Sequence, residues 1–205
     1  MIEVEVKAWV PRPAEVQRRV LELKAAPLGR RVEHDTYYRH PVRDFATTDE
    51  ALRLRRVVRI TDEGEVDWRS LPAEAWASGR TFVTYKGPRM EGTAKTRTEE
   101  EVLVQGNVHA LLGHLGFSAV QDVLKHRRAW SVGDAVITLD EVDGLGVFVE
   151  VEVMVHSEAA AGDPEALRRA GREASNLLSR LGLYDIEEKS YLELVLERRE
   201  RRVRA

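Results

Sequence analysis

Residues 2–7 read Ile2-Glu3-Val4-Glu5-Val6-Lys7, and this alternation guides the interpretation of the whole chain. Successive side chains on a β-strand point to opposite faces, so the aliphatic residues share one face and Glu3, Glu5 and Lys7 share the other. Residues 149–153 repeat the pattern, with Glu150 and Glu152 between valines. If both strands join one sheet, four carboxylates converge into a site for a hard divalent cation. The alternative is an amphipathic sheet whose glutamates face water.

Length and composition bound the class of protein. The 205 residues favour one domain over residues 1–205, and 43% hydrophobic with 33% charged residues is typical of a soluble globular protein. The chain has no apolar run near the ~20 residues needed to cross a bilayer, so we expect no membrane partner. It contains no cysteine, which excludes disulfides and thiolate metal sites. Without a secretory signal after Met1, a cytoplasmic location is expected.

Charge is informative in its distribution rather than in its sum. A net charge of −3 gives no reason to expect nucleic acid as a partner. Arginine supplies 26 of the 32 basic residues, so the six lysines stand out. An ammonium group is a compact charge with a shiftable pKa, whereas guanidinium is a fixed planar fork. We therefore expect several of the lysines to be present for chemistry that arginine does not perform.

Six to eight predicted strands carry their charged residues in phase. The residues that share a face by parity are Glu3, Glu5, Lys7, Arg53, Arg55, Lys86, Arg97, Glu99, Glu101, Lys125, Arg127, Glu150 and Glu152. In a sandwich they form the wet face, and in a closed barrel they line a polar lumen. Carboxylates for Mg²⁺ beside Lys and Arg for phosphate oxygens are the combination expected of a site for a metal-chelated polyphosphate.

Helices are predicted at residues 14–26, 108–115, 163–181 and 186–202 from their apolar spacing and their caps. The strand at residues 51–60 is predicted to break register near Arg55 and Arg56. Residues 61–79 form a long connection that carries Trp68 and Trp76. This connection is either a lid or partner patch, or a segment whose indoles fold back on the domain.

Ordered motifs span residues 2 to about 195. They are Glu3-x-Glu5-x-Lys7, residues 34–38 (HDTYY), residues 40–44 (HPVRD), residues 51–55 (ALRLR), Lys86-Gly87-Pro88, residues 95–101 (KTRTEEE), Lys125-x-Arg127, residues 139–152 (LDEVDGLGVFVEVE) and residues 190–194 (SYLEL). With these motifs the chain resembles the CYTH superfamily of triphosphate tunnel enzymes, and within it the class IV adenylate cyclase-like branch. The connection at residues 61–79 is longer than that branch usually carries.

The resemblance implies an α+β fold, a closed eight-stranded antiparallel β-barrel, or tunnel, with flanking helices. It implies that Mg²⁺ or Mn²⁺ is held by the metal ligands Glu3, Glu5, Glu150 and Glu152. The triphosphate-binding residues that it implies are Arg53, Arg55, Lys86, Arg97, Lys125 and Arg127. The catalytic set that it implies is Glu3, Glu5, Lys7, Arg55, Lys86, Lys125 and Arg127, with Asp140 near the metal or nucleotide.

Three functions remain open at this stage. One is an adenylate cyclase that converts ATP to cyclic AMP and pyrophosphate. Another is a triphosphatase that hydrolyses thiamine triphosphate, inorganic tripolyphosphate or a nucleoside triphosphate. The last is a non-catalytic polyphosphate-binding module, and a homodimer is compatible with each of the three.

Overall fold

The computed structural model describes residues 2–61, 64–88, 95–155 and 164–204. Its centre is a closed antiparallel barrel with the strand order β1-β5-β4-β3-β2-β6-β7-β8. The strands are β1 (Ile2–Trp9), β2 (Ala26–Arg39), β3 (Ala51–Ile60), β4 (Arg80–Lys86), β5 (Lys95–Val104), β6 (Ser118–Val132), β7 (Ala135–Val142) and β8 (Gly146–Val155). The predicted eight-stranded tunnel is therefore confirmed, and the sandwich alternative is wrong.

Alternation in sequence separates the two faces of the barrel wall. On β1 the aliphatic residues Val4 and Val6 are buried outside the lumen, where they pack in one cluster with Val149 and Val151 of β8. Two helices, α1 (Pro13–Glu22) and α5 (Pro164–Arg180), cover this cluster through residues such as Leu177. The charged residues of the same strands are thereby directed into the lumen.

Four more helices complete the described chain: α2 (Phe45–Thr48), α3 (Ala73–Ala77), α4 (Val108–His114) and α6 (Tyr191–Arg204). The predicted start of α4 is confirmed, because the Asn107 side chain accepts a hydrogen bond from the Ala110 amide at 3.0 Å. Asp163, the predicted cap of α5, and the side chain of Lys95 lie outside the described residues.

The long connection between β3 and β4 lies against the barrel. Trp68 is buried and stacks on His126, and Trp76 contacts the ring of His34 edge-on. Arg69 donates hydrogen bonds to Glu141 and Asp143 at 3.0 and 2.9 Å. The indoles fold back on the barrel, as the second of the two sequence interpretations expects.

Three local predictions are wrong. Helix α1 ends at Glu22 because Lys24 adopts a left-handed backbone with φ 55°, and residue 26 already belongs to β2. Helix α6 begins at Tyr191 because Ile186 instead forms an isolated bridge with Ala8. Strand β3 pairs with β2 in unbroken register through residues 55 and 56, so its faces follow simple alternation.

Candidate active site

The lumen opens into a cavity of about 640 Å³, here called the carboxylate cavity. All the residues predicted for the site line it, namely Glu3, Glu5, Lys7, Arg53, Arg55, Lys86, Arg97, Lys125, Arg127, Glu150 and Glu152. They come from six different strands, which only a closed barrel brings to one space. The placement of these residues together follows from the fold, whereas the role of each stays a prediction.

Three of the predicted metal ligands form one cluster. Glu3, Glu5 and Glu152 each contribute a carboxylate oxygen, and these oxygens all lie within 4.8 Å of one another. The pairing of β1 with β8 explains this grouping, because Glu5 lies directly opposite Glu152. Burial and then neighbouring carboxylates raise the pKa of Glu152, and burial raises the pKa of Glu3 well above its usual range despite the nearby Lys86.

The fourth predicted ligand, Glu150, lies one step further along β8. There it is opposite Lys7, with 3.9 Å between the Lys7 Nζ and a Glu150 carboxylate oxygen. It also accepts a hydrogen bond from Arg127. Lys7 is itself buried, with its Nζ 4.2 Å from the centre of the Tyr191 ring. In this structure Glu150 belongs to an ion-pair network beside the cluster, and its role as a metal ligand stays a prediction.

Cations flank the cluster on the side of β4 and β5. The Lys86 Nζ lies 2.6 Å from Glu99 and 3.8 Å from Glu3. Burial alone would lower the pKa of Lys86, but these two carboxylates raise it to about 12. The Arg97 guanidinium lies 3.8 Å from Asp49. Each of these cations thus has a carboxylate partner that an incoming phosphate can replace.

Arg53 sits between the cluster and the deeper lumen. Its guanidinium lies 3.6 Å from Asp35 and 3.7 Å from both Glu99 and Glu101, and it donates a hydrogen bond to Thr84 at 3.2 Å. The separations from these carboxylates are long for charge-assisted hydrogen bonds. Arg53 is therefore held electrostatically while keeping donor capacity for a ligand.

A second, largely buried network fills the middle of the barrel. Arg55 donates to both oxygens of Asp35 at 2.6 and 2.7 Å, and Arg127 donates to Asp140 at 2.7 Å. The Lys125 Nζ lies 3.1 Å from Glu33. Burying such charges is tolerated only where they pair, and here each cation contacts at least one carboxylate.

The pKa values of the central carboxylates follow from this pairing. Burial would raise the pKa of Asp35, but Arg55 and Arg53 lower it to about 2. The pKa of Glu33 is likewise held well below its usual range by Arg55, Lys125 and Arg127, against the effect of burial. Both carboxylates are therefore ionised near neutral pH.

The sequence interpretation missed two members of this network, Glu33 and Asp35. Arg31, Glu33 and Asp35 have the same parity on β2, but only Val32 among the intervening residues is apolar, so the alternation is weak. Tyr191 belongs to the motif at residues 190–194, and its hydroxyl donates to Asp140 at 3.0 Å, a contact that the sequence does not indicate. Asp140 is fully buried in this network, and its role near the metal or nucleotide, which the resemblance implies, stays a prediction.

The cluster fits a hard divalent cation. Three carboxylate oxygens within reach of one ion are the donor set that Mg²⁺ and Mn²⁺ prefer. Burial, and after it the neighbouring carboxylates, raises the pKa values of Glu3 and Glu152. A bound cation would favour the ionised form of both groups, and Glu3, Glu5 and Glu152 are the residues that would hold it.

Comparison with known proteins gives matches over nearly the whole chain. The family model of the CYTH domain matches residues 1–191. A protein of Methanocaldococcus jannaschii named "Putative adenylate cyclase MJ0240" is 31% identical over 198 residues, covering 95% of this chain and 98% of its own length.

Solved structures extend the likeness to three dimensions. The PH1819 protein from Pyrococcus horikoshii OT3 is 36% identical with a TM-score of 0.78, over 96% of this chain and 99% of that one. "Putative adenylyl cyclase HpAC1" from Hippeastrum is 16% identical with a TM-score of 0.59, over 94% and 93% of the two chains, and shares the fold. In the part of the chain that the structure describes, no helix combines the length and apolarity that a membrane span requires.

Proposed function

The chain belongs to the CYTH family, and on that premise we propose that it is a metal-dependent enzyme acting on a triphosphate bound in the carboxylate cavity. The reaction we assign is that of a class IV adenylate cyclase, which converts ATP to cyclic AMP and pyrophosphate. The name of the Methanocaldococcus jannaschii relative, 31% identical over almost its full length, supports this assignment.

One observation carries the proposal: a single cavity combines three chemical surfaces. It holds the Glu3, Glu5 and Glu152 cluster, the cations around Lys86, and the apolar lining residues Phe45, Leu192 and Leu196. A chelated polyphosphate needs the first two surfaces. The apolar lining suits the organic part of a nucleotide, which inorganic tripolyphosphate lacks.

In the cyclase reaction the ribose 3′-oxygen attacks the α-phosphorus. The bond from this phosphorus to the bridging oxygen breaks, pyrophosphate leaves with the electron pair, and the hydroxyl proton is released. Lys86, Arg53 and Arg97 would hold the phosphates in line, exchanging their present carboxylate partners for phosphate oxygens. A divalent ion at the cluster would supply charge neutralisation and lower the pKa of the attacking hydroxyl.

A triphosphatase is the second candidate. The cluster is only partly buried, with 15% of the Glu3 side chain and 23% of the Glu152 side chain exposed, so water reaches it. HpAC1, which shares the fold, is described as having a dominant triphosphatase activity. In that reaction water attacks the terminal phosphorus of thiamine triphosphate, tripolyphosphate or a nucleotide. The bond from this phosphorus to the bridging oxygen breaks, and inorganic phosphate and the remaining diphosphate are released. The same cations would hold the chain of phosphates.

Product analysis separates these functions. The protein is incubated with ATP, thiamine triphosphate or tripolyphosphate and Mg²⁺ or Mn²⁺, and the products are resolved by chromatography. We expect cyclic AMP with pyrophosphate from ATP. Free phosphate without a cyclic product would overturn the cyclase assignment in favour of the triphosphatase, and tight binding without turnover would leave a polyphosphate-binding module.

A further inference from the structure

A second cavity, of about 750 Å³, opens where β2 and β4 begin and β3 ends. We call it the arginine cavity, because its described lining contains five arginines, Arg30, Arg31, Arg55, Arg59 and Arg80, beside two glutamates, Glu33 and Glu101. The carboxylate cavity, in contrast, has ten carboxylates beside eight cations among its described lining residues. The two cavities thus carry charge excesses of opposite sign.

The backbone register lines up three arginines across neighbouring strands. Arg31 of β2 lies directly opposite Arg59 of β3 and, on its other side, opposite Arg127 of β6. Like charges directly opposite each other in a sheet are destabilising. A row of three guanidinium groups therefore needs anions to balance it.

Carboxylates balance one end of this row more fully than the other. Arg127 is paired with Asp140, Glu150 and Glu152. Arg31 contacts Glu33, which also pairs with Lys125 and Arg55.

At the other end of the row, Arg59 forms no ion pair within the part of the chain that the structure describes, and it is exposed. Arg80, which lines the same cavity, is also exposed, with its guanidinium 4.9 Å from the centre of the Phe82 ring. The positive excess is therefore concentrated at the outer end of the lumen.

The two cavities share part of their walls. Arg31, Arg55 and Glu101 line both of them, so the cavities are neighbours within the barrel. Arg55 is engaged by Asp35 and Glu33, so Arg31, Arg59 and Arg80 are the guanidinium groups best placed to receive an anion.

From these observations we infer that the arginine cavity binds a metal-free inorganic phosphate anion, pyrophosphate in the first place. A chelated triphosphate brings its own cations and suits a wall of mixed charge, whereas a metal-free pyrophosphate brings none and suits a wall in which arginine predominates. Guanidinium forks match phosphate oxygens in bidentate geometry. The identity of pyrophosphate as a product rests on the proposed function, but the binding site itself does not.

The test uses the whole chain, with sodium pyrophosphate as the probe. Isothermal titration calorimetry in the presence of EDTA compares the wild type with Arg59→Gln/Arg80→Gln. The matched control is Arg198→Gln/Arg202→Gln, which removes the same charge from exposed positions of α6. We expect affinity to fall at least tenfold in the first variant and to stay unchanged in the control.

A charge-retaining variant shows whether a loss of affinity comes from the missing charges or from misfolding. Arg59→Lys/Arg80→Lys keeps both cations and should recover part of the affinity, because it loses only the fork geometry. Equal pyrophosphate affinity in the wild type and in Arg59→Gln/Arg80→Gln would overturn the proposal, as would no binding by the wild type. The titration contains neither substrate nor divalent metal, so failure of the cyclase assignment leaves its outcome unaffected.

Discussion

The two ends of the lumen differ in what their charges can bind. The carboxylate cavity mixes acids and bases, and its Glu3, Glu5 and Glu152 cluster lies beside Lys86. The arginine cavity presents mainly guanidinium groups. A buried network that includes Asp35 and Arg127 lies in the middle of the barrel. One barrel wall thus has a charge pattern suited to a chelated polyphosphate at one end and a charge pattern suited to a bare anion at the other.

Breaking the buried ion-pair network in the middle of the barrel should have the largest effect on stability. Arg127→Met leaves Asp140 and Glu150 buried without their main partner, and breaking a buried pair in this way costs about 3–5 kcal/mol. We expect the free energy of unfolding in urea to fall by that amount. Arg128→Met, its half-buried neighbour on the outer face, is the matched control and should lose far less; equal losses would show that the network is not central.

Acid should weaken the ion pairs of Asp35 in the central network and of Glu99 beside Lys86. Asp35 and Glu99 have folded-state pKa values of about 2, below their ordinary values of 3.8 and 4.5. Carboxylates whose pKa is depressed by folding stabilise the protein above the unfolded pKa, and this stabilisation is lost as pH falls through the folded pKa. For Asp35 it amounts to about 2 kcal/mol.

We therefore expect the unfolding free energy to decline from pH ~5 to pH ~2. Asp35→Asn should be less stable at neutral pH and show a flatter decline. The measurement is urea unfolding at a series of pH values. Parallel curves for the wild type and the variant would contradict the role given to Asp35.

Changing one cation in the carboxylate cavity tests whether this end of the lumen carries the activity. Lys86→Gln removes the ammonium between Glu3 and Glu99. Losing a hydrogen bond to a charged group should lower kcat/KM for the triphosphate about tenfold or more. Lys189→Gln, an exposed lysine paired with Glu197, is the control and should leave kcat/KM unchanged. Loss of activity in both variants would point to a general effect of charge.

The smallest effect is expected outside the lumen. Arg69→Gln removes the exposed ion pairs that hold the connection between β3 and β4 to β7. Exposed pairs contribute at most about 1 kcal/mol, so the melting temperature should barely change. Hydrogen exchange at residues 64–79 should become faster. Unchanged exchange there would mean that Trp68 packing alone holds the segment.

The sequence predicts which side chains share a face of one strand better than it predicts how two strands are aligned with each other. Alternation predicts that Glu3, Glu5, Arg53 and Arg127 lie on the charged faces of their strands, because side-chain parity is a local property, and the closed barrel turns those faces to the lumen. Which glutamates meet depends on the stagger between β1 and β8, far apart in the chain. That register puts Glu152 opposite Glu5 and turns Glu150 toward Lys7.

Other parts of the prediction failed for equally physical reasons. Asp35 was overlooked because its strand also carries the polar residues His34 and Thr36 on the outer face, which hides the alternation. The predicted start of α6 is wrong because Ile186, which has helical spacing, instead forms a bridge with Ala8 of β1. Closure of the barrel itself was expected from the family resemblance, since periodicity alone fits a sandwich as well.

The most direct test of the account is a Mn²⁺ titration followed by electron paramagnetic resonance, without substrate. It compares the wild type, Glu5→Gln in the cluster, and Glu173→Gln at an exposed position of α5 as the matched control. We predict that the wild type and Glu173→Gln bind Mn²⁺ equally, and that Glu5→Gln binds it at least about tenfold more weakly because one ligand charge is lost. Equal Mn²⁺ affinity in all three proteins would contradict the assignment of the carboxylate cavity as a metal site.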